Sequence, residues 1–295
     1  MSTSSSTYTF TSLLCSPEDL DGLLQWLNGH TQSSVLIEEG TPCRLVFVPP
    51  DTASAEWLLM ESALSSLGAS AIELHEARQE DWQEIWKEQG FKSFTVGERL
   101  RVVPSWEDPE DQSALAVIRI DPQMAFGTGL HETTYRCLEL IAETADRWPK
   151  EPRSILDFGS GTGILGVAAL HLMKESTLIA IDNDPYAVEA TRQNLRDNGM
   201  DDRGVVYGSF DEIPPASPLP SFDMILANVT GGVLCATTPK LYGMLSPAGR
   251  MICSGVSKEE TEAVARVLSG LSGGVRHVPG ERYDTFVVDK GRSPS

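Results

Sequence analysis

Three glycines at spacing two, Gly159, Gly161 and Gly163, stand directly behind the apolar run Ile155–Phe158, and that run holds one carboxylate, Asp157. Glycine permits a tight turn and lets backbone approach a ligand closely. A helix that begins at such a turn points its positive end at whatever is bound. Gly161, Gly163 and Gly166 also satisfy Gly-x-Gly-x-x-Gly, a dinucleotide fingerprint. Asp157 weighs against that reading, because a carboxylate repels a pyrophosphate and attracts a cation. S-adenosyl-L-methionine carries an ammonium and a sulfonium and no phosphate, so a sulfonium nucleoside is favoured over NAD. The next apolar run ends in Asp182, where a carboxylate accepts from ribose hydroxyls. That residue is expected with either cofactor. Asp184, just before Pro185, reads as a helix N-cap.

Two further stretches carry chemistry. In Phe126-Gly-Thr-Gly129, glycines flank Thr128 and Phe126 offers an apolar contact for a cofactor. Such a loop can close and exclude water from a sulfonium. It leads into a helix expected over Thr133–Thr144, with Thr133 or Thr134 near its start, and His131 reads as a loop residue more than as a base. Asn228 follows the apolar run Met224–Ala227, so its side-chain oxygen can hold an amine, although asparagine at a strand end is often only a turn former. No general base stands out.

These residues need a scaffold. From Arg153 onward, strands are expected at Ser154–Phe158, Thr177–Ile181, Val205–Tyr207, Met224–Ala227, Arg250–Ser254 and Phe286–Asp289. Helices are expected at Gly163–Met173, Pro185–Asn198, Gly232–Leu245 and Lys258–Leu271. Alternation of this kind makes an α/β fold, a parallel sheet with helices on both faces. Its ligand lies beyond the C-terminal strand ends. Ahead of it, residues 8–76 read as βαββαβ, the order of a small ferredoxin-like domain. Residues 79–120 read as a connector, with a Trp-bearing helix at Asp81–Gln89 (Trp82, Trp86) and extended pieces at Phe94–Val96 and Arg99–Val103. The expected division is 1–78, 79–120 and 121–295.

Composition bounds the partners. The chain has 295 residues, 41% hydrophobic and 22% charged, with a formal net charge of −19. That acidity argues against a direct nucleic-acid partner, since phosphate contacts need clustered Lys and Arg. No apolar run is long enough to span a membrane. Met1–Thr7 lacks the basic and apolar regions of a secretion signal and reads as a polar tail. Five cysteines without a Cys-x-x-Cys pair suggest neither a disulfide framework nor a zinc site, and a cytoplasmic location is expected.

The stretch Asp121-Pro-Gln-Met-Ala-Phe-Gly-Thr-Gly-Leu-His-Glu-Thr-Thr134 resembles the signature of the PrmA family, methyltransferases of large-subunit ribosomal protein L11. Similarity continues upstream at Asp81–Trp86, Gly97–Leu100 and Pro104–Trp106, and downstream at the glycine loop, Ile181–Pro185 and Ile225–Val229. The resemblance implies a Rossmann-like, seven-stranded class I methyltransferase domain behind an N-terminal ferredoxin-like domain that holds the ribosomal substrate. It implies cofactor contacts at Thr134, Gly159, Asp182 and Asn228, and methylation of lysine and N-terminal amines. With the residue-level reading, the candidate cofactor site is Phe126, Thr128, Thr134, Asp157, Gly159, Gly161, Asp182 and Asn228, with Asn228 orienting the amine and the Val229 backbone assisting. Two departures from the family are visible: Glu132 where proline is usual, and Val229-Thr-Gly-Gly-Val233 where a more apolar motif is usual. Three alternatives stay open: another protein lysine or a small amine as acceptor, an NAD-dependent oxidoreductase, and a non-catalytic binding module.

Overall fold

A computed structural model of the chain describes residues 7–30, 35–38, 40–47, 49, 52–78, 87, 91–108, 115–123, 125, 127, 129–148, 152–214 and 221–291. The expected polar tail (apart from Thr7) and the Trp-bearing helix (apart from Lys87) lie outside the described residues, as do Phe126 and Thr128. The chain divides into two compact units, residues 1–91 with 122–126, and residues 92–121 with 127–295.

The first unit runs β1 (Thr7–Cys15), α1 (Leu20–His30), β2 (Leu36–Glu38), β3 (Cys43–Phe47), α2 (Ala55–Ser66) and β4 (Ser70–Arg78). The sheet order is β2-β3-β1-β4 with every neighbouring pair antiparallel, the ferredoxin-like arrangement read from the sequence. Helical spacing puts Leu20, Leu23 and Leu27 of α1, and Trp57, Met60 and Leu64 of α2, into one core with Leu13, Leu45 and Phe47. Ser54 caps α2 by accepting from the Trp57 amide at 3.3 Å.

The second unit opens with β5 (Phe94–Val96), β6 (Leu100–Pro104) and β7 (Ala116–Ile120), a small sheet in which β6 pairs antiparallel to β5 and parallel to β7. The sequence reading of the connector placed no strand at β7. Then follow α3 (Glu132–Arg147), β8 (Ser154–Phe158), α4 (Ile164–Leu172), β9 (Thr177–Ile181), α5 (Pro185–Asp197), β10 (Gly204–Tyr207), β11 (Phe222–Asn228), α6 (Gly231–Met244), β12 (Leu245–Ser257), α7 (Thr261–Ser269), β13 (Gly273–Val278) and β14 (Tyr283–Lys290). The main sheet has the order β10-β9-β8-β11-β12-β14-β13. Its first five strands are parallel, and β14 runs antiparallel to β12 and β13. The dinucleotide fold is built from two βαβαβ halves in the order 3-2-1-4-5-6. A reversed strand inserted beside the fifth is a different ending.

The strands read as apolar because they are covered on both faces. Ile155 and Leu156 of β8, Met224–Ala227 of β11 and Met251–Cys253 of β12 are buried, as is α4 from Ile164 to Leu170. Each aliphatic side chain of this kind contributes about 2 kcal/mol on burial. The chain reverses its strand order between β8 and β11, which fixes the crevice at their C-terminal ends. Asp157 and Phe158 pair there with Leu226 and Ala227.

Candidate active site

The turn after β8 is built on glycine for two separate reasons. Gly159, Gly161 and Gly163 have φ of 71°, 56° and 77°, a region L side chains rarely adopt. At Gly159 a Cβ would also drive into Val229 Cγ1, so the turn needs glycine twice over. The Ile181 carbonyl accepts from the amides of Gly159 at 2.8 Å and Ser160 at 3.1 Å, which ties the turn to the end of β9. Asp182, at that end, accepts from the Gly161 amide through Oδ2 (2.8 Å) and from the Asp184 amide through Oδ1 (3.0 Å). Asp184 caps α5 by accepting from the Tyr186 amide at 2.9 Å, with Pro185 in the first turn, as the sequence predicts.

Asp157 lies beneath this turn and is 1% exposed. Its Oδ2 accepts from the Gly166 amide at 2.9 Å, while its buried Oδ1 has no hydrogen-bond partner. Burial pushes this carboxyl up to about 7; the Gly166 N–H opposes the rise and the Asp182 carboxylate adds to it. Burial likewise raises Asp182, against the backbone N–H groups of Asp184, Gly161 and Asn183. Two carboxylates with raised pKa values at one turn form a site that is short of positive charge.

On the other side of the crevice, Asn228 ends β11, and its Nδ2 donates to Thr134 Oγ1 at 3.1 Å. Thr134 is buried in the first turn of α3. The Val229 amide donates to the Ser254 carbonyl at 3.1 Å, so the chain leaving β11 is held against β12. The structure thus joins Thr134 to Asn228, and the glycine loop to Asp182, as two hydrogen-bonded pairs flanking the β8–β11 crevice.

Gly127 and Gly129, ahead of α3, make close contacts the sequence did not announce. Thr162 Oγ1 donates to the Gly127 carbonyl at 2.6 Å, joining this loop to the glycine turn. Gly129 has φ 92°, and a Cβ there would strike the Phe94 ring. His131 caps α3, with Nδ1 beside Thr133 Oγ1 at 2.9 Å, which agrees with a structural loop residue. Glu132 accepts from the amides of Glu281 and Arg282, pinning the β13–β14 turn to the start of α3.

Sequence reasoning also missed a buried polar seam on α5. Asn194 donates to the carbonyls of Asp121 (2.9 Å) and Thr162 (2.8 Å) and accepts from the Asp121 amide (2.8 Å). Asn198 repeats the pattern with the amide and carbonyl of Arg119 at 2.8 and 2.7 Å. Thr191 donates to the Gly161 carbonyl at 2.8 Å. The one available signal was the i, i+4 spacing of two asparagines on an otherwise amphipathic helix.

The family model described as ribosomal protein L11 methyltransferase (PrmA) matches residues 30–276. A protein of that name from Pelobacter propionicus is 42% identical over 187 residues, which cover 63% of this chain and 58% of that protein. One from Burkholderia vietnamiensis is 35% identical over 226 residues, covering 76% of this chain and 70% of that protein. Among solved structures, the ribosomal protein L11 methylase of Lactobacillus delbrueckii subsp. bulgaricus aligns with a TM-score of 0.58 at 23% identity, covering 68% of this chain and 100% of that one. At that identity the structural likeness speaks for the fold alone.

Proposed function

The chain belongs to the PrmA family of ribosomal protein L11 methyltransferases, and on that premise we propose that it transfers methyl groups from S-adenosyl-L-methionine to lysine and N-terminal amines of protein L11. The observation that carries this reading is the grouping of Asp157, Asp182 and Asn228 at the C-terminal ends of β8, β9 and β11, the switch point of the sheet. The residues fit the cofactor. Asp157 Oδ1, buried and without a partner, suits an ammonium, and Asp182 has lone pairs left for ribose hydroxyls. Gly159 and Gly161 bring backbone close to the nucleoside, Thr134 supports the crevice from α3, and Phe126 and Thr128 complete the proposed contacts.

S-adenosyl-L-methionine, when bound, supplies an electrophilic methyl whose leaving group is a neutral thioether. The chain's task is alignment, and holding reactants in line can supply most of the acceleration. With its Nδ2 given to Thr134, Asn228 turns Oδ1 toward an incoming amine and accepts its N–H. The Val229 carbonyl is the second acceptor. The amine must be neutral to attack; a free lysine titrates near ~10.4, and desolvation between these walls lowers that value. Residues 1–91 hold only three basic side chains, Arg44, Arg78 and Lys87, and expose Leu58 (66%) and Leu59 (73%) on α2. That surface suits a basic protein and supports assigning the substrate-holding role to residues 1–78, with no direct nucleic-acid partner. No described helix is long and apolar enough to cross a membrane.

A second acceptor class stays in view because Val229–Val233 departs from the family motif beside Asn228. One experiment separates the two: incubation of the purified chain with methyl-labelled cofactor and a ribosomal-protein mixture, followed by site mapping. Label on L11 amines is the expected result. Label confined to other proteins would move the chain to the second class, and no label with intact cofactor binding would overturn the activity.

The Asp157 carboxyl adds a pH signature. Its folded value lies above the ordinary one, so the ligand-free chain holds a proton there that the unfolded chain releases. The stabilisation is complete below the ordinary Asp range and is lost as pH rises through about 7. A cationic ligand needs the ionised form, so cofactor affinity is expected to rise from about pH 6 to about pH 8, with proton release at the lower end. Calorimetry in buffers of different ionisation enthalpy measures this. Affinity flat across that range, or equal pH dependence in Asp157→Asn, would remove Asp157 from the cofactor site.

A further inference from the structure

We propose that Glu260, remote in sequence from every residue assigned above, is the positioning residue that holds the acceptor side of the crevice; the inference rests on the methyl-transfer reading. Helix α6 begins three residues beyond Asn228, and its N-cap, Thr230, makes no side-chain cap hydrogen bond. The N-terminal amides of a helix have no partner within it and need one from outside. Glu260 supplies it. Oε1 accepts from the Gly232 amide at 2.9 Å and Oε2 from the Gly231 amide at 3.3 Å. Oε2 also accepts from Ser257 Oγ at 3.0 Å and the Ser257 amide at 3.3 Å, so the carboxylate is anchored to the end of β12 while it grips the start of α6.

The fit is specific to this sequence. A Cβ at Gly231 would meet the Glu260 side chain at 2.7 Å, so Gly231 leaves room for the carboxylate. The amides of Val229, Gly231 and Gly232 are then held from the β12 side. Ser254 takes the Val229 amide, and Gly255 lies so close that a Cβ on it would overlap the Val229 carbonyl. Glu260 takes the Gly231 and Gly232 amides. In the sheet order, β8 and β9 with the glycine loop lie on one side of β11, and β12 with the Glu260 anchor lies on the other. The clamp therefore bears on the Asn228–Val229 acceptors from the side away from the nucleoside turn. A carboxylate at a helix N-terminus is also favoured by the helix dipole.

A residue that sets this segment should govern the acceptor and not the cofactor. In Glu260→Ala, kcat/KM for L11 is expected to fall about a hundredfold, the scale of a 1 Å misplacement. Affinity for S-adenosylhomocysteine by calorimetry should fall far less, within about twofold of wild type, since Glu260 itself bonds none of the proposed cofactor residues. Glu260→Gln keeps one acceptor oxygen and should recover part of the loss. Hydrogen exchange should show the Gly231 and Gly232 amides deprotected in Glu260→Ala, with the Gly159–Gly163 amides unchanged. A parallel loss of cofactor affinity and acceptor turnover, or protection at Gly231 and Gly232 equal to wild type, overturns the assignment. Failure of the wild-type chain to methylate L11 would instead overturn the activity, and the exchange pattern would then decide the clamp alone.

Discussion

Replacing Asp182 with alanine is expected to weaken S-adenosylhomocysteine binding by two to four orders of magnitude. A hydrogen bond to a charged group is worth about 1.5–3 kcal/mol, and two ribose hydroxyls donating to one carboxylate sum to about 3–6 kcal/mol. The substitution also frees the Gly161 and Asp184 amides that Asp182 holds, so the glycine turn loosens on the same side as the ribose. The global fold should survive. Asp182 is a half-buried carboxylate whose pKa is raised by desolvation, so it is costly to the ligand-free chain, and removing it relieves part of that cost. Asp182→Asn keeps one acceptor but turns an N–H₂ toward a backbone N–H, and should fall between wild type and alanine. Calorimetric titration decides the matter. Binding within about threefold of wild type, against the scale just given, would mean that the ribose lies elsewhere.

Asn228→Ala should have the opposite profile: kcat lower by about a hundredfold or more, the range of lost orientation, with a smaller loss of cofactor affinity. Asn228 ends β11, and its one described side-chain hydrogen bond goes to Thr134 rather than to the glycine turn. Thr134→Val tests the same geometry from the other side, because the amide then loses the partner that orients it. A milder fall in kcat is expected there. Steady-state kinetics alongside cofactor titration checks both variants. A large loss of cofactor affinity with unchanged turnover at saturation would reject the orienting role and leave Asn228 as a cofactor contact alone.

Local chemistry was the part of the molecule that the sequence made plain. Glycines at spacing two, a carboxylate closing each of two apolar runs and an Asp-Pro helix start are written within a few residues of one another, and Asp157, Asp182, Asp184 and Asn228 stand at the strand and helix ends expected of them. The ferredoxin-like order was legible because Leu20, Leu23, Leu24 and Leu27 recur at helical spacing in α1 and Gly68 closes α2, with short apolar runs between them. What escaped was settled between distant segments. Strand β13 is exposed on nearly every residue and starts with two glycines, so it shows no alternation; only pairing with β14 makes it a strand. Strand β7 was absorbed into the connector, although Ile118 and Ile120 point inward. Asn194 and Asn198 looked like ordinary helix polar residues, and their partners at Arg119 and Asp121 lie 73 to 79 residues away.

The bond from Glu132 to the Glu281 and Arg282 amides spans 149 and 150 residues. All five parallel strands of the main sheet lie in sequence between the two ends of this bond. Strand β14 slots in beside β12 only after that interval, and long-range closures of this kind are slow and come late. A chain halted before Arg282 lacks the Arg282 amide that Glu132 accepts from, and lacks the strand that joins β12 to β13.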